Sequence, residues 1–247
     1  MSDNVLITVE NLTKSFGDLL VLNDVSFKVF EGEFLCIVGP TGCGKTTFLN
    51  TLVNLYPATR GEILLKGKPV DLRKNSIAYI FQENSTMPWL TVEENVRFGL
   101  DIKGVSKNES RVRVDKYLKM VGLDEYKKYY PRQLSASMIQ RVSIARAFVT
   151  EPEILLMDEP YGQLDIELRM ALEDELLRIQ KETGTTVIFI THNIEEAVYL
   201  GDRIMILTNK PTSVREIVDV NIPHPRNISD KHFVEYRNKV TDLIKWW

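Results

Sequence analysis

The segment GPTGCGKT, at residues 39–46, constrains the fold of this chain more than any other. It matches the pattern G-x-x-x-x-G-K-[ST]. A mostly apolar run, EFLCIVG at residues 33–39, precedes it, and KTTFLNTLVNL, with apolar residues at helical spacing, follows it. The segment therefore predicts a turn between a buried strand and a helix, in the context that a phosphate-binding loop requires.

The chemistry of that loop follows from four of its residues. Gly42 and Gly44 let the backbone turn so that its N–H groups face an anion, and the helix behind them adds its positive end. Lys45 can then reach the β- and γ-phosphates of a nucleotide, and the hydroxyl of Thr46 can ligate Mg²⁺. A glycine-rich turn without a ligand is the alternative, and the agreement of motif and context counts against it.

Strand and helix patterns alternate along the rest of the chain. Their order implies an α/β sheet with right-handed crossovers, interrupted by a helical insert from about residue 88 to 150. Strands are predicted at LITVENL, VSFKVF, EILLKG, residues 77–82, residues 153–160, residues 185–192, RIMILT and VREIVDV, and helices at VEENVRFGL, VRVDKYLKMVGL, MIQRVSIARAF, residues 164–182 and DKHFVEYRNKVTDLIKW.

Composition excludes several classes of protein. A length of 247 residues fits one large domain or two small ones, and a net charge of −3 argues against a general nucleic-acid binder. We expect no membrane span and no signal peptide, because long apolar runs and a basic leader are missing from the sequence. The only two cysteines, Cys36 and Cys43, favour a reducing compartment over a disulfide framework.

Polar residues end three predicted strands. Asp158 and Glu159 close EILLMDEP, where Asp158 could hold Mg²⁺ and Glu159 could act as the general base toward water. Two solvated acids at a strand end are the alternative. Gln82 and His192 end two further strands, and each on its own is more often a surface or structural residue than a functional one.

Taken in order, these motifs resemble the nucleotide-binding subunit of ATP-binding cassette (ABC) transporters over essentially the whole chain. The resemblance rests on GPTGCGKT, Gln82, QLSASMIQR, LLMDEP, GQLD and His192. It implies a P-loop NTPase core with a mixed, mainly parallel sheet, an N-terminal antiparallel β subdomain and an inserted α-helical subdomain. Within a single domain of residues 1–247, the implied parts are a core with its β subdomain at 1–87 and 151–220, a helical subdomain at 88–150, and a tail at 221–247.

The resemblance also implies roles for particular residues. Phe16 is similar to the aromatic residue that stacks on adenine, with an ordinary core phenylalanine as the alternative, and Asp165 to a turn that contacts the opposite subunit. The implied catalytic residues are Glu159, His192, Lys45 and Gln82; the implied Mg²⁺ ligands are Thr46, Gln82 and Asp158; the implied ATP-binding residues are Phe16, Gly39, Pro40, Thr41, Gly42, Cys43, Gly44, Lys45, Thr46, Thr47, Ser135, Ser137 and Asp165.

One motif departs from the family pattern. QLSASMIQR, at residues 133–141, carries Ala136 and Ser137 where the family usually has two glycines that approach the ATP of the other subunit. If both positions are helical with negative φ, the backbone fits and only the size of the side chains matters. The hypotheses left open are an active ATPase and a nucleotide-gated regulatory subunit with little hydrolysis.

The implied partners are two membrane permease subunits, a second ATPase subunit in a homodimer or mixed pair, and indirectly a solute-binding protein. The subunit would then lie peripherally on the cytoplasmic face of the cell membrane, without nucleic acid. Two segments, STMPWLTVEENVRFGL and VREIVDVNIPHPRN, are similar to nitrate, sulfonate and taurine importers. Met87, Pro88 and Trp89 are candidates for lining the permease groove, with Trp89 as a core anchor being the alternative.

Cys43 gives a separate expectation. It lies inside the phosphate loop, close to Lys45 and to a helix N-terminus, and both lower the pKa of a thiol. The sequence therefore predicts that thiol alkylation blocks ATP binding and that ATP protects against it.

Overall fold

The computed structural model describes residues 4–71, 75–83, 85–162 and 164–244. No helix in those ranges is long and apolar enough to cross a membrane. The strands are β1 (Val5–Phe16), β2 (Leu19–Phe30), β3 (Phe34–Val38), β4 (Arg60–Leu65), β5 (Lys68–Pro69), β6 (Ile77–Ile80), β7 (Ile154–Asp158), β8 (Thr186–Ile190), β9 (Arg203–Leu207) and β10 (Val214–Asp219). The helices are α1 (Lys45–Leu52), α2 (Val92–Ile102), α3 (Lys107–Met120), α4 (Ala136–Phe148), α5 (Ile166–Thr183), α6 (Ile194–Leu200) and α7 (Lys231–Ile244), with 3-10 turns at Asp124–Tyr126 and Pro131–Gln133.

The chain divides into two compact units, Met1–Asn75 with Thr186–Trp247, and Ser76–Thr185. The first unit contains an antiparallel sheet in the order β2-β1-β4-β5. Buried and exposed residues alternate along much of β2, as expected for a sheet with one face on the core. This sheet confirms the predicted N-terminal antiparallel part.

A second, mainly parallel set of strands completes the first unit. β3 pairs in parallel with β8 and β9, and β10 joins β9 in antiparallel orientation. All five residues of β3 and all five of β8 are buried, which explains their continuous apolar runs. α6 packs against β3, and α7 packs against α6 and β9. The patterns missed α6 and the short strand β5.

The second unit combines the parallel pair β6 and β7 with four helices. α2 packs on α3 and α4, and α4 also contacts β6. The helical segment predicted for residues 88–150 lies in this unit, together with β7 and α5. α5 begins at Ile166, two residues later than predicted, because Asp165 caps it. The mixed α/β class is confirmed, and the finer division of the chain into parts stays a prediction.

Candidate active site

The first unit builds a phosphate loop between β3 and α1. Gly42 and Gly44 have φ values of 76° and 113°, in the region that favours glycine. A Cβ on Gly44 would lie 2.7 Å from Val21 Cγ1, so this position excludes other residues sterically as well. The sequence requirement for glycine at Gly44 therefore has both a conformational and a packing cause.

Lys45 lies against the inner side of this loop. Its Nζ donates to the carbonyl of Gly39 at 3.0 Å and to that of Pro40 at 3.2 Å. The side chain is only 6% exposed. The first turn of α1, which lies within the described range 4–71, carries no acidic side chain. An ammonium group and a helix N-terminus thus meet at one loop, an arrangement that favours an anion.

Thr46 is exposed and Thr47 is half-buried in the same turn of α1. Among the described residues, no group of three or more His, Cys, Asp or Glu side chains could hold a metal ion. The side chains of Thr46, Asp158 and Gln82 each offer an oxygen atom. Mg²⁺ prefers oxygen donors and usually shares its shell with substrate phosphates, so each of these residues suits that ion by its own chemistry.

The environment of Cys43 contradicts the prediction that the pKa of its thiol is lowered. The side chain is 2% exposed, and burial raises the pKa of its thiol more than the charge of Lys45 lowers it. The Thr212 hydroxyl donates to the Cys43 carbonyl, which ties the loop between β9 and β10 to the phosphate loop. The predicted lowering of the Cys43 pKa is wrong, because burial beneath the loop outweighs the neighbouring positive charge.

We therefore expect Cys43 to resist alkylation. With iodoacetamide at pH 7.5, Cys43 should react at least about tenfold more slowly than an exposed cysteine. A raised pKa lowers the fraction of thiolate, and burial limits the access of the reagent to the sulfur. Peptide mass spectrometry of S229C, which places a thiol at an exposed position, provides the matched rate. Rapid labelling of Cys43 that ATP suppresses would reinstate the original prediction.

Phe16 ends β1 with 44% of its surface exposed, so the core interpretation of this residue is wrong. Its ring meets that of Tyr56 edge to face, with centroids 5.6 Å apart. An exposed ring can stack on an aromatic base. The first unit therefore supplies a phosphate loop and an exposed aromatic ring.

His192 lies in the first unit, two residues beyond β8, and is exposed. The Asn193 N–H donates to Thr191 Oγ1 at 2.9 Å, and Asn193 Oδ1 caps α6 by accepting from Glu195 and Glu196. The turn that carries His192 is thus fixed on both sides by short hydrogen bonds. The missed helix α6 supplies this support.

In the second unit, β7 carries the two predicted carboxylates. Asp158 is 4% exposed at the end of a fully buried strand. Glu159 follows with φ of 45°, a left-handed conformation that costs a non-glycine residue on the order of 1–3 kcal/mol. The Glu159 carbonyl accepts from the Gly162 N–H at 3.3 Å, so a turn follows the two acids. Sequence patterns gave no sign of the left-handed conformation at Glu159, since glycine is the residue expected at positive φ.

The QLSASMIQR segment forms the start of α4. Ser135 is the N-cap, and its Oγ accepts from the Met138 N–H at 3.3 Å. Ala136 and Ser137 occupy the first turn of the helix, so neither needs the conformational freedom of glycine. Ser135 Oγ and Ser137 Oγ lie 2.9 Å apart and share a hydrogen bond. The substitution of both glycines leaves the helix N-terminus intact and adds a second hydroxyl beside the first.

Gln82 lies two residues beyond β6 and is exposed. Asp165 is an N-cap whose carboxylate accepts from the Leu168 N–H at 2.9 Å. Gln163, between the predicted GQLD residues, lies outside the described residues. A subunit contact by Asp165 stays a prediction.

The loop before α2 exposes Trp89 and is held by Asn95, a residue that the sequence analysis did not single out. Trp89 is 72% exposed, so it is not a core anchor. Asn95 is fully buried, accepts from the Met87 N–H at 2.8 Å, and donates to the carbonyls of Met87, Leu90 and Thr91. Asn95 fixes this loop, and no sequence pattern distinguished it from the other polar residues of α2.

Comparisons with known proteins find a matching family model and several similar chains. The chain matches the family model "ABC transporter" over residues 22–162. It is 44% identical over 245 residues to an uncharacterised ABC transporter ATP-binding protein of Methanocaldococcus jannaschii, covering 98% of this chain and 92% of the relative. It is 39% identical over 234 residues to an aliphatic sulfonates import ATP-binding protein of Bacillus cereus, covering 95% and 92% of the two chains.

Two solved structures are also similar. A Clostridium perfringens protein, described as part of the ABC transporter complex cbiONQ, matches with a TM-score of 0.80 and 28% identity over 88% of this chain and 90% of that one. A dimeric ATP-binding cassette in a post-hydrolysis state with ADP and Pi matches with a TM-score of 0.76 and 33% identity, over 88% and 100% of the two chains.

Proposed function

The chain belongs to the ABC transporter family, as an ATP-binding ATPase subunit, and on that premise we propose that it energises the uptake of a small solute through a separate permease. The phosphate loop with the buried Lys45 is the observation that carries this proposal. Similarity to an aliphatic sulfonates import protein supports a nitrate-, sulfonate- or taurine-like molecule as the solute.

In this proposal the loop amides of residues 39–46 and Lys45 bind the phosphates of ATP, and Phe16 stacks on the base. Thr46, Asp158 and Gln82 would hold Mg²⁺, which would neutralise negative charge on the phosphates. Pro40, Thr41, Cys43 and Thr47 contribute backbone or side-chain contacts from the same loop. The oxygen-rich donor set and the exposed Thr46 support this assignment.

Hydrolysis transfers the γ-phosphoryl group to water. Glu159 accepts a proton from the attacking water as the new P–O bond forms, the bond to the β-phosphate oxygen breaks, and the products are ADP and Pi. His192 orients the water, and Lys45 stabilises charge on the phosphate oxygens. The hydrogen-bonded turn at His192 and the position of Glu159 directly after the buried strand β7 support these roles.

A second subunit completes each site in this proposal. Ser135 and Ser137 donate to the γ-phosphate of ATP held by the opposite subunit, and Asp165 lies at the same contact. The paired hydroxyls at the N-terminus of α4 support the role of the two serines. The similar dimeric cassette supports pairing.

The permease would contact the second unit near Gln82. Exposed apolar side chains on this unit support such a contact: Phe81, Trp89, Phe98 and Ile102. A groove of about 270 Å³ beside α2 and α4 includes Phe98 and Ile102 in its lining. Docking there would hold the subunit on the cytoplasmic face of the membrane, with the solute-binding protein acting through the permease.

ATP hydrolysis measured against protein concentration tests this proposal. We expect the rate to rise more than linearly, because two subunits share each ATP. The double variant A136G/S137G should keep the rate within about tenfold of the native one, because both positions are helical and keep their backbone contacts, and only the contact of the Ser137 hydroxyl with the phosphate is lost.

The blank in this experiment is the E159Q variant. A native rate at the level of this blank, with rescue by the two glycines, would overturn the active ATPase in favour of the regulatory subunit. If neither the native protein nor A136G/S137G hydrolyses ATP at any protein concentration, the proposed function is contradicted directly.

A further inference from the structure

A buried ammonium group lies over the ring of Phe16. Lys14, on β1, is 8% exposed, and its Nζ is 4.6 Å from the centroid of the Phe16 ring. The same Nζ donates to the carbonyl of Pro57 at 2.8 Å. A cation over an aromatic face is attracted by the ring electrons, most strongly where water is excluded. Lys14 therefore covers one face of Phe16 and leaves only the opposite face for a stacked base.

A second aromatic ring restricts Phe16 from the side. Tyr56 meets it at an interplanar angle of 87°, which is the favoured edge-to-face geometry. Tyr56 is itself 40% exposed, so the two rings form an aromatic surface that water reaches. Lys14 and Tyr56 together fix the plane of a ring that is 44% exposed at the end of its strand.

Backbone hydrogen bonds fix the segment that carries Tyr56 and Pro57. The Tyr56 N–H donates to the Asn50 carbonyl of α1 at 3.1 Å. The Thr59 N–H donates to the Thr13 carbonyl at 2.8 Å, and Thr59 Oγ1 accepts from the Ser15 N–H at 3.0 Å. This segment is therefore joined at one end to the helix of the phosphate loop and at the other to β1.

The contacts of Lys14 connect the same two elements. Since α1 starts at Lys45, the position of Pro57 is set by the helix that presents the phosphate loop. Since Lys14 and Phe16 lie on β1, the Lys14–Pro57 hydrogen bond couples the orientation of the Phe16 ring to that helix. A nucleotide that binds α1 by its phosphates and β1 by its base requires the Phe16 ring to be oriented correctly relative to α1.

From these contacts we infer that Lys14 and Tyr56 are positioning residues that hold the Phe16 ring ready for the base of the nucleotide. The inference rests on the proposed function, because it assumes that Phe16 stacks on the base. It assigns a nucleotide-related role to a lysine outside the phosphate loop. Holding the ring in its stacking orientation before ATP arrives lowers the entropic cost of binding.

The test compares two ligands, MgATP and inorganic tripolyphosphate, by competition against a fluorescent ATP analogue. Both carry a triphosphate, and only ATP carries a base. We expect K14M to weaken ATP binding about fivefold and leave tripolyphosphate unchanged, because one cation–π contact and its hydrogen bond are lost. K14R should retain near-native ATP affinity, since a guanidinium can donate to Pro57 and stack over the ring.

Y56L should weaken ATP binding about threefold, again without an effect on tripolyphosphate. The matched controls are K28M, an exposed lysine on the adjacent strand, and L55A, an exposed neighbour of Tyr56. Neither control should change the affinity for either ligand. At saturating ATP, kcat should stay native in K14M and Y56L, so that only KM rises.

If K14M and Y56L weaken the binding of ATP and of tripolyphosphate equally, the inference is overturned. Equal losses would indicate damage to the phosphate loop and not to the Phe16 ring that stacks on the base. Unchanged ATP affinity in both variants would also overturn it. The proposed function is separately tested by K45M in the same assay. If K45M binds both ligands like the native protein, the proposed function fails; if K45M loses them while K14M and Y56L behave natively, only the inference fails.

Discussion

Replacing Glu159 by glutamine is expected to lower kcat for ATP hydrolysis by about three orders of magnitude. The amide keeps the size of the side chain and removes the only group that this site assignment offers as a proton acceptor. Because φ at Glu159 is 45° and glutamine faces the same backbone restriction, the turn after β7 should keep its geometry. ATP affinity should stay within about twofold of the native value. Single-turnover hydrolysis and equilibrium binding, measured on the same preparation, check the two halves of this prediction.

Glu151 offers a matched control for that variant. It is also a glutamate at positive φ, 47°, and it lies just before β7 instead of just after it. Its carboxylate pairs with Arg113 at 3.2 Å on an exposed surface, so E151Q should cost little. Hydrolysis by E151Q should be native. A loss of less than about tenfold in E159Q, or a similar loss in E151Q, would remove Glu159 from the role of general base.

Replacing Lys45 by methionine is expected to weaken MgATP binding by about a hundredfold. The Nζ of Lys45 donates to the carbonyls of Gly39 and Pro40, so it lies at the inner side of the phosphate loop. A hydrogen bond to a charged group is worth roughly 1.5–3 kcal/mol, which is about one to two decades in affinity, and the contact with a triphosphate adds Coulomb attraction. Isothermal titration with MgATP gives the measurement.

The loss in K45M should come from the ligand contact and leave the fold intact. Methionine is apolar and flexible, so it can occupy the buried path of the lysine stem, and thermal unfolding should change by only a few degrees. K66M is the control, because Lys66 is an exposed lysine of the same unit. Its Nζ forms an exposed ion pair with Glu31 Oε1 at 3.7 Å. MgATP affinity within about threefold of native in K45M would contradict the assignment of the phosphate loop.

The sequence alone predicted the features that depend on local backbone chemistry. The glycines and Lys45 of GPTGCGKT required a strand, a loop and a helix in that order, and the structure has them as β3, the loop and α1. The apolar run before Asp158 predicted a buried strand with a carboxylate at its end, and β7 confirms it. Periodicity also found α2 to α5, because amphipathic helices show their buried face directly in residue spacing.

The sequence did not predict burial and pKa where these depend on neighbours that are distant along the chain. The low-pKa thiol predicted for Cys43 was wrong because the loop packs over the side chain, and burial cannot be read from the loop sequence. For Trp89 the sequence allows either core or surface, since a single large aromatic residue suits both places, and the structure exposes it. α6 was missed because only seven residues separate its capping Asn193 from Gly201, too few for a clear period.

The sequence by itself determined which groups of this protein can bind phosphate and which carboxylates end a strand, because those properties follow from residue type and spacing within a few residues. The tertiary structure alone decided which groups are accessible and how they are oriented: a buried Cys43, an exposed Phe16 beneath Lys14, and an Asn95 that fixes a loop. Each of these depends on contacts between segments that are distant or unpatterned in sequence. Burial and ring orientation are consequences of packing, and packing is set by the whole unit.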